Sequence, residues 1–95
     1  MKLSILIPAY NEERTIQFIL NKVRDVKLLN NIEKEIIIVN DCSTDGTVQA
    51  IEKYAAANPE MSIQLHSQPK NKGKGAAIHK AIDLATGDYL IVQDA

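Results

Sequence analysis

Four short polar segments hold the residues of this chain that could do chemistry. Pro8-Ala9-Tyr10-Asn11-Glu12 closes on a carboxylate, Asp41-Cys42-Ser43-Thr44-Asp45-Gly46 brackets two hydroxyls with two more, Gln68 to Gly75 carries Lys70, Lys72 and Lys74, and Gln93-Asp94-Ala95 adds one further acid. Carboxylates can accept hydrogen bonds from a base N–H or a ribose hydroxyl, so Asp41 and Asp45 are candidates to hold a nucleoside. Asp45-Gly46-Thr47 ahead of an apolar helical run reads equally as a helix cap. Asp41 has no comparable structural duty in the sequence. Lys72-Gly73-Lys74-Gly75 opens a helix, where small residues let backbone N–H groups approach an anion and the helix N-terminus favours negative charge. Lys72 or Lys74 would add a point charge for a diphosphate; the same run also reads as a solvated basic turn. Asp94 directly follows an apolar strand. An acid there can hold a divalent ion, which a diphosphate leaving group needs to neutralise its developing charge.

Other chemistries are excluded by what is missing. No G-x-x-x-x-G-K-[ST] run exists. A dinucleotide fingerprint needs glycines in the turn after the first strand, and this chain has Pro-Ala-Tyr-Asn-Glu there; after Gly73-Lys74-Gly75 the third glycine position is Ile78. One cysteine and two distant histidines make no zinc cluster. His66 and His79 read as ordinary surface or boundary residues, and Cys42 as a small residue packed at a strand end.

The elements that must position these segments alternate. Strand-like runs cover Leu3 to Pro8, Glu35 to Asn40, Ser62 to His66 and Tyr89 to Val92. The second and fourth are continuously apolar, the habit of a strand buried on both faces. A first helix is predicted over 12–27, with Ile16, Ile19, Leu20, Val23 and Val26 on one face, Asn11 as cap, and Glu12 and Glu13 in the first turn. A second covers 45–57, with Val48, Ile51 and Ala55 inward and Tyr54 beside them. A third covers 74–86, with Ala77, Ile78, Ala81, Ile82 and Ala85 inward and Gly87 as a left-handed stop. The order β-α-β-α-β-α-β predicts an α/β fold: a three-layer α-β-α, Rossmann-like, mostly parallel sheet with right-handed crossovers. Ligands of such sheets bind outside the carboxyl ends of the strands, where all four polar segments fall.

Composition agrees with a single unit spanning residues 1–95. At 95 residues, with 45% hydrophobic and 24% charged residues, the chain can bury roughly 60–70% of its unfolded surface. A net charge of −1, with basic residues dispersed outside Lys70, Lys72 and Lys74, gives no reason to expect a nucleic-acid partner. No apolar run approaches the ~18 residues of a membrane span, no signal peptide is visible, and the lone Cys42 suits a reducing compartment, so a cytoplasmic location is expected.

Taken together these segments resemble the N-terminal part of family 2 glycosyltransferases with the GT-A fold, especially the polyprenyl (dolichyl) phosphate mannose synthase branch. The resemblance rests on Ile7-Pro8-Ala9-Tyr10-Asn11-Glu12, Val39 to Thr47, Asn71-Lys72-Gly73-Lys74-Gly75-Ala76-Ala77, Ala85-Thr86-Gly87-Asp88-Tyr89 and Gln93-Asp94-Ala95, in the family's order and spacing and across the whole chain. It implies that Pro8, Ala9, Tyr10 and Glu12 line a nucleoside pocket, that Asp41 bonds the base, and that Gly73 and Lys74 lie near the base and phosphates. Asp94 matches the first acid of the family's D-x-D motif, which contacts the ribose and a Mg2+ or Mn2+ ion. The second acid would follow Ala95. The implied reaction is an inverting transfer of a sugar from a UDP- or GDP-sugar to a lipid phosphate or saccharide acceptor. No residue of the chain is a candidate base, and the full-length protein is expected to supply one downstream, with membrane association possible for it.

A different class of function is a non-catalytic α/β binding or receiver-like regulatory domain. A receiver-like chain calls for an acidic pair after the first strand, where this chain has Pro-Ala-Tyr-Asn-Glu. A nucleotidyltransferase calls for a glycine-rich, basic first loop, which is also absent. Because the chain stops at the acidic motif, it is expected to behave as a truncated fragment: weak nucleotide binding, no turnover, a fourth strand lacking its neighbour, and a tendency to form homo-oligomers.

Overall fold

The computed structural model describes residues 1–26 and 32–94. Strands β1 (Lys2–Ala9), β2 (Glu33–Asn40), β3 (Ile63–Ser67) and β4 (Tyr89–Val92) alternate with helices α1 (Ile16–Asp25), α2 (Thr47–Ala57) and α3 (Lys74–Leu84). All strand pairs are parallel, in the order β3-β2-β1-β4. The α/β architecture expected of the front half of a GT-A fold is present.

Side-chain alternation builds three layers. Ile5, Ile7 and Ala9 of β1 and Ile36 and Ile38 of β2 face α1 and α2, meeting Ile16, Leu20, Val23, Ile51 and Tyr54. Leu6, Ile37 and Val39 face the other way, onto Ala77 and Ala81 of α3. The chain steps outward from β1 to β3 under α1 and α2, then returns across to β4 under α3. Crossovers of one hand demand that helices of opposite travel lie on opposite faces.

Pro8 sits where the sheet can tolerate it. Even-numbered residues of β1 bond toward β4, as Asp88 N–H to Lys2 O and Gln93 N–H to Leu6 O show, while odd ones bond toward β2. The N–H that proline lacks would face β4 beyond Leu6, the last residue of that pairing. No ladder bond is lost, and β1 and β4 part at that point.

Several boundaries differ from the sequence reading. Helix α1 starts at Ile16, with no acid in its first turn, and Thr15 stands at its N-cap. Asn11 is no cap: it takes a left-handed φ of 52°, and its side chain accepts the Thr44 N–H at 2.8 Å. Residues 12–15 form a turn instead, closed by Thr15 N–H to Glu12 O. Val26 is exposed and outside the helix; residue 27, the predicted end, lies outside the described residues, as does Ala95. Helix α3 ends at Leu84, and Ile82 is exposed. Gly87 is not a left-handed cap, since Gly73 alone among the described glycines has positive φ. A Cβ at Gly87 would collide with the Ser4 hydroxyl and amide, so the requirement there is close approach. Strand β4 is exposed along its whole length, not buried on both faces, because it is an edge and no described helix contributes to the core beside it.

The approach of Gly87 belongs to a latch at the amino ends of the strands. Glu35 accepts the Ser4 hydroxyl at 2.5 Å, the Thr86 N–H at 2.6 Å and the Thr86 hydroxyl at 3.1 Å. Ser4 in turn accepts the Gly87 N–H at 2.9 Å, and Asp88 accepts the Lys2 N–H at 2.9 Å. Burial pushes the Glu35 carboxyl up, but the bonds from Ser4 and Thr86, with the nearby Lys2 ammonium, outweigh it and leave the group below the usual glutamate range.

Candidate functional site

The carboxyl ends of all four strands converge on one cavity of about 370 Å³, lined by Pro8, Ala9, Tyr10, Glu12, Asp41, Asn71, Gly73, Lys74, Ala77 and Asp94. Its size lies at the small end of the ~300–1,000 Å³ typical of ligand pockets. Its position follows from strand order: β2 and β4 flank β1 on opposite sides, the reversal point at which open α/β sheets bind ligands.

The first two loops brace each other. Asn11 N–H donates to the Ser43 hydroxyl at 2.9 Å, Glu12 N–H to the Thr47 hydroxyl at 2.8 Å, and Gly46 N–H to the Glu13 carboxylate at 2.8 Å. Asn40, buried at the end of β2, accepts both the N–H and the hydroxyl of Ser43. Cys42 adopts a positive φ of 60° within this lacing. Tyr10 stands 45% exposed, an aromatic surface at the mouth of the cavity.

Asp41 has the structural duty that its sequence context did not reveal. It is 4% exposed, and its two carboxylate oxygens each accept a backbone N–H at 2.8 Å, one from Lys72 and one from Gly73. These bonds pin the loop before α3, and Gly73 makes the turn at φ 91°, a region a side chain would strain. A carboxylate has about four acceptor positions, so Asp41 retains capacity for a further donor.

Asp45 lies outside the cavity and lines a separate groove with Asn11, Glu12, Glu13, Arg14 and Thr15. Its carboxylate accepts the Thr47 hydroxyl, the Thr47 N–H at 2.9 Å and the Glu13 N–H at 3.4 Å. The Thr47 hydroxyl bond chiefly, against a smaller opposing effect of burial, holds the group below the usual aspartate range. Asp45 stands at the start of α2, one position before the N-cap Gly46. The remaining eight candidate residues all line the cavity. Asn71 and Ala77 join them unforeseen. Ala77 belongs to the core as its helical spacing predicts, and Asn71 is an uncharged residue of the basic loop whose side chain accepts the Gly73 N–H at 3.1 Å.

Asp94 forms an ion pair with Lys74, Nζ to Oδ1 2.6 Å, with both side chains more than half exposed. Among the described residues no cluster of three or more His, Cys, Asp or Glu side chains could hold a metal. Asp94 by itself supplies one exposed carboxylate, so a Mg2+ or Mn2+ ion there would need its further oxygens from a bound diphosphate or from water.

Known proteins similar to this chain are glycosyltransferases. The chain is 34% identical over 100 residues to a dolichyl-phosphate beta-glucosyltransferase of Dictyostelium discoideum, covering 98% of this chain and 30% of that protein. It is 37% identical over 94 residues to the prophage bactoprenol glucosyl transferase homolog of Escherichia coli K12, covering 99% and 30%. The chain thus spans about 30% of the length of these relatives. Among solved structures, a mannosyltransferase from Pyrobaculum calidifontis in complex with GDP-Man and Mn2+ superposes with a TM-score of 0.91 at 27% identity, over 97% of this chain and 26% of that one. The TarS protein of S. aureus in complex with UDP superposes with a TM-score of 0.87 at 32% identity, over 99% and 27%. The family model for glycosyl transferase family 2 matches residues 4–95, and the chain belongs to that family.

Proposed function

We propose that this chain is the nucleotide-sugar-binding part of a hexosyltransferase that moves a sugar, with inversion, from a UDP- or GDP-sugar to a polyprenyl phosphate or a saccharide. The observation that carries the reading is the single cavity in which residues from all four strand ends meet, eight of them picked out by the sequence. Pro8, Ala9 and the exposed Tyr10 offer apolar and aromatic surface to a planar base. Asp41 offers its remaining acceptor capacity to the base, and Glu12 lines the same wall. Gly73 and Lys74, at the start of α3, face the diphosphate with a helix N-terminus and an ammonium. Asp94 would hold the ribose and a Mg2+ or Mn2+ ion, which supplies electrostatic stabilisation of the departing diphosphate. No residue of this chain is assigned as base; that group and the acceptor site are proposed to lie in the part of the protein beyond this chain.

The names of the relatives favour a polyprenol-type acceptor and glucose as the sugar. Nucleotides of both bases occur in the solved neighbours, so UDP and GDP are both candidates. No helix among the described residues is long and apolar enough to cross a membrane; work at the cytoplasmic face of a membrane is proposed for the whole protein. The receiver-like alternative is not favoured, given the match to a transferase family along residues 4–95. Calorimetric titration of the chain with UDP and GDP, with and without Mn2+, tests the pocket. Weak binding of one nucleotide and no sugar transfer are expected; binding of neither would overturn the reading.

A further inference from the structure

Asn40 is 3% exposed and stands at the carboxyl end of β2, level with Ala9 of β1 and Ser67 of β3. A buried amide needs partners at both its oxygen and its nitrogen, and the groups around Asn40 leave it one orientation. The Asn11 backbone N–H donates to the Ser43 hydroxyl oxygen at 2.9 Å. That hydroxyl sends its own proton onward to Asn40 Oδ1, which also accepts the Ser43 N–H at 3.1 Å. The Asn40 amide nitrogen is left facing β3, where it donates to the Ser67 hydroxyl at 3.2 Å. A continuous run of hydrogen bonds thus crosses from β3 over β2 to the loop after β1. It ends on Asn11, whose side-chain oxygen is held as well, by the Thr44 N–H at 2.8 Å.

Asn11, Asn40, Ser43 and Ser67 do not line the cavity, whereas Tyr10 and Glu12, the two neighbours of Asn11, both do. Asn11 has its left-handed φ of 52° where the chain leaves β1 for the turn at residues 12–15. An asparagine freed of its clamp returns readily to negative φ, and that rotation would move Glu12 relative to Tyr10. We propose that Ser43, anchored by the buried Asn40, is a positioning residue of the nucleoside subsite: it holds Asn11 left-handed and so fixes Tyr10 and Glu12 against each other without touching the ligand. The proposal rests on the nucleotide-site reading above and adds to it a determinant of affinity that lies outside the cavity. Ser43 is the point to test, because it joins the two loops and is only half-buried, so its replacement spares the core.

The decisive comparison is Ser43→Thr against Ser43→Val, two side chains of one shape that differ by the hydroxyl. Ser43→Ala accompanies them as a variant that crowds nothing. Tyr54→Phe serves as a control, since it removes a hydrogen bond of similar length, to Asn21, between α1 and α2. Nuclear magnetic resonance titration of the 95-residue chain gives the affinity of each variant for UDP and GDP. One neutral hydrogen bond corresponds to a factor of about 2–12 in an equilibrium constant. Ser43→Val and Ser43→Ala should bind nucleotide more weakly than the wild type by a factor in that range, and Ser43→Thr should bind it as the wild type does. Tyr54→Phe should lower the melting temperature and leave nucleotide affinity unchanged. Equal affinities of the Thr and Val variants would overturn the positioning role. So would a loss in Tyr54→Phe as large as in Ser43→Val, which would mark general loosening. A second readout needs no ligand: hydrogen exchange at the Asn11 and Thr44 N–H groups should be faster in Ser43→Val than in Ser43→Thr, and equal rates would also overturn the role. Failure is separable. Binding of neither nucleotide by the wild type removes the site reading and the proposal with it, whereas wild-type binding that is matched by both the Thr and Val variants removes only the proposal.

Discussion

At the scale of single residues, the acids of this chain divide by what already bonds them. Asp41 is committed to the Lys72 and Gly73 N–H groups and so shapes the cavity before any ligand arrives. Replacing it with alanine leaves the Lys72 N–H without its partner and the Gly73 N–H with only the longer bond to Asn71. The expected cost is about 1–3 kcal/mol in chemical denaturation, with loss of measurable nucleotide binding. Gly73→Ala should also weaken nucleotide binding, because a side chain at φ 91° is strained although nothing crowds it. Asp45→Ala gives the contrasting result. It should lower the melting temperature through the start of α2 and leave nucleotide affinity as in the wild type, since its carboxylate turns away from the cavity. A loss of affinity on titration would return Asp45 to the binding site. The sequence offers a structural duty for Asp45 alone, and the structure shows one for Asp41 as well. Asp41 bonds the Lys72 and Gly73 N–H groups of the loop before α3, whereas Asp45 bonds Thr47, two residues on, and the Glu13 N–H.

Among the elements, the strand ends and the latch at the opposite end of the sheet do different work. Pro8 marks where β1 leaves β4, and the opening becomes the wall of the cavity. The latch of Glu35, Ser4, Thr86 and Gly87 ties the connection between α3 and β4 to the two central strands, and so sets the register that carries Asp94 to its place. Glu35 is more acidic in the folded chain than in the unfolded one, so its ionised form favours folding. That contribution is complete above the ordinary glutamate value of about 4.3 and disappears as pH falls through the lower folded value. Thermal melts between about pH 6 and 3 should show the wild type losing stability on acidification, with a shallower slope in Glu35→Gln. An identical slope in the two proteins would mean that Glu35 is not linked to folding. The Ala85-Thr86-Gly87-Asp88 run was legible as a motif but not as a latch, because Ser4 and Glu35 lie more than 50 residues upstream.

For the molecule as a whole, the sheet is well covered at its centre and bare at one side. The Ile36-Ile37-Ile38-Val39 run of β2 is almost wholly inaccessible, while Tyr89, Leu90, Ile91 and Val92 of β4 are 44–58% exposed. One edge of β4 pairs with β1, and its other edge is open in the described structure. An apolar, unpaired edge strand promotes association with another such edge. Light scattering should therefore detect concentration-dependent self-association of the 95-residue chain, reduced by Ile91→Lys; a monomer at all concentrations would refute this.

The sequence by itself determined the order of the seven elements, the parallel α/β sheet and the convergence of its polar loops. These follow from local periodicity, which differs between helix and strand, and from the rule that parallel strands bring their carboxyl ends to one side. Helix limits were less legible: Asn11 and Gly87 have the types of cap residues, but the partners that claim them are Thr44 and Ser4. Only the tertiary structure decided that Asp41 holds a loop, that Asp45 faces elsewhere, that Asp94 is paired to Lys74 and that β4 is exposed. Each of those depends on atoms brought together from distant parts of the chain. A carboxylate's role is set by its nearest donors and cations, and an apolar strand's burial by its neighbours, neither of which residue type encodes.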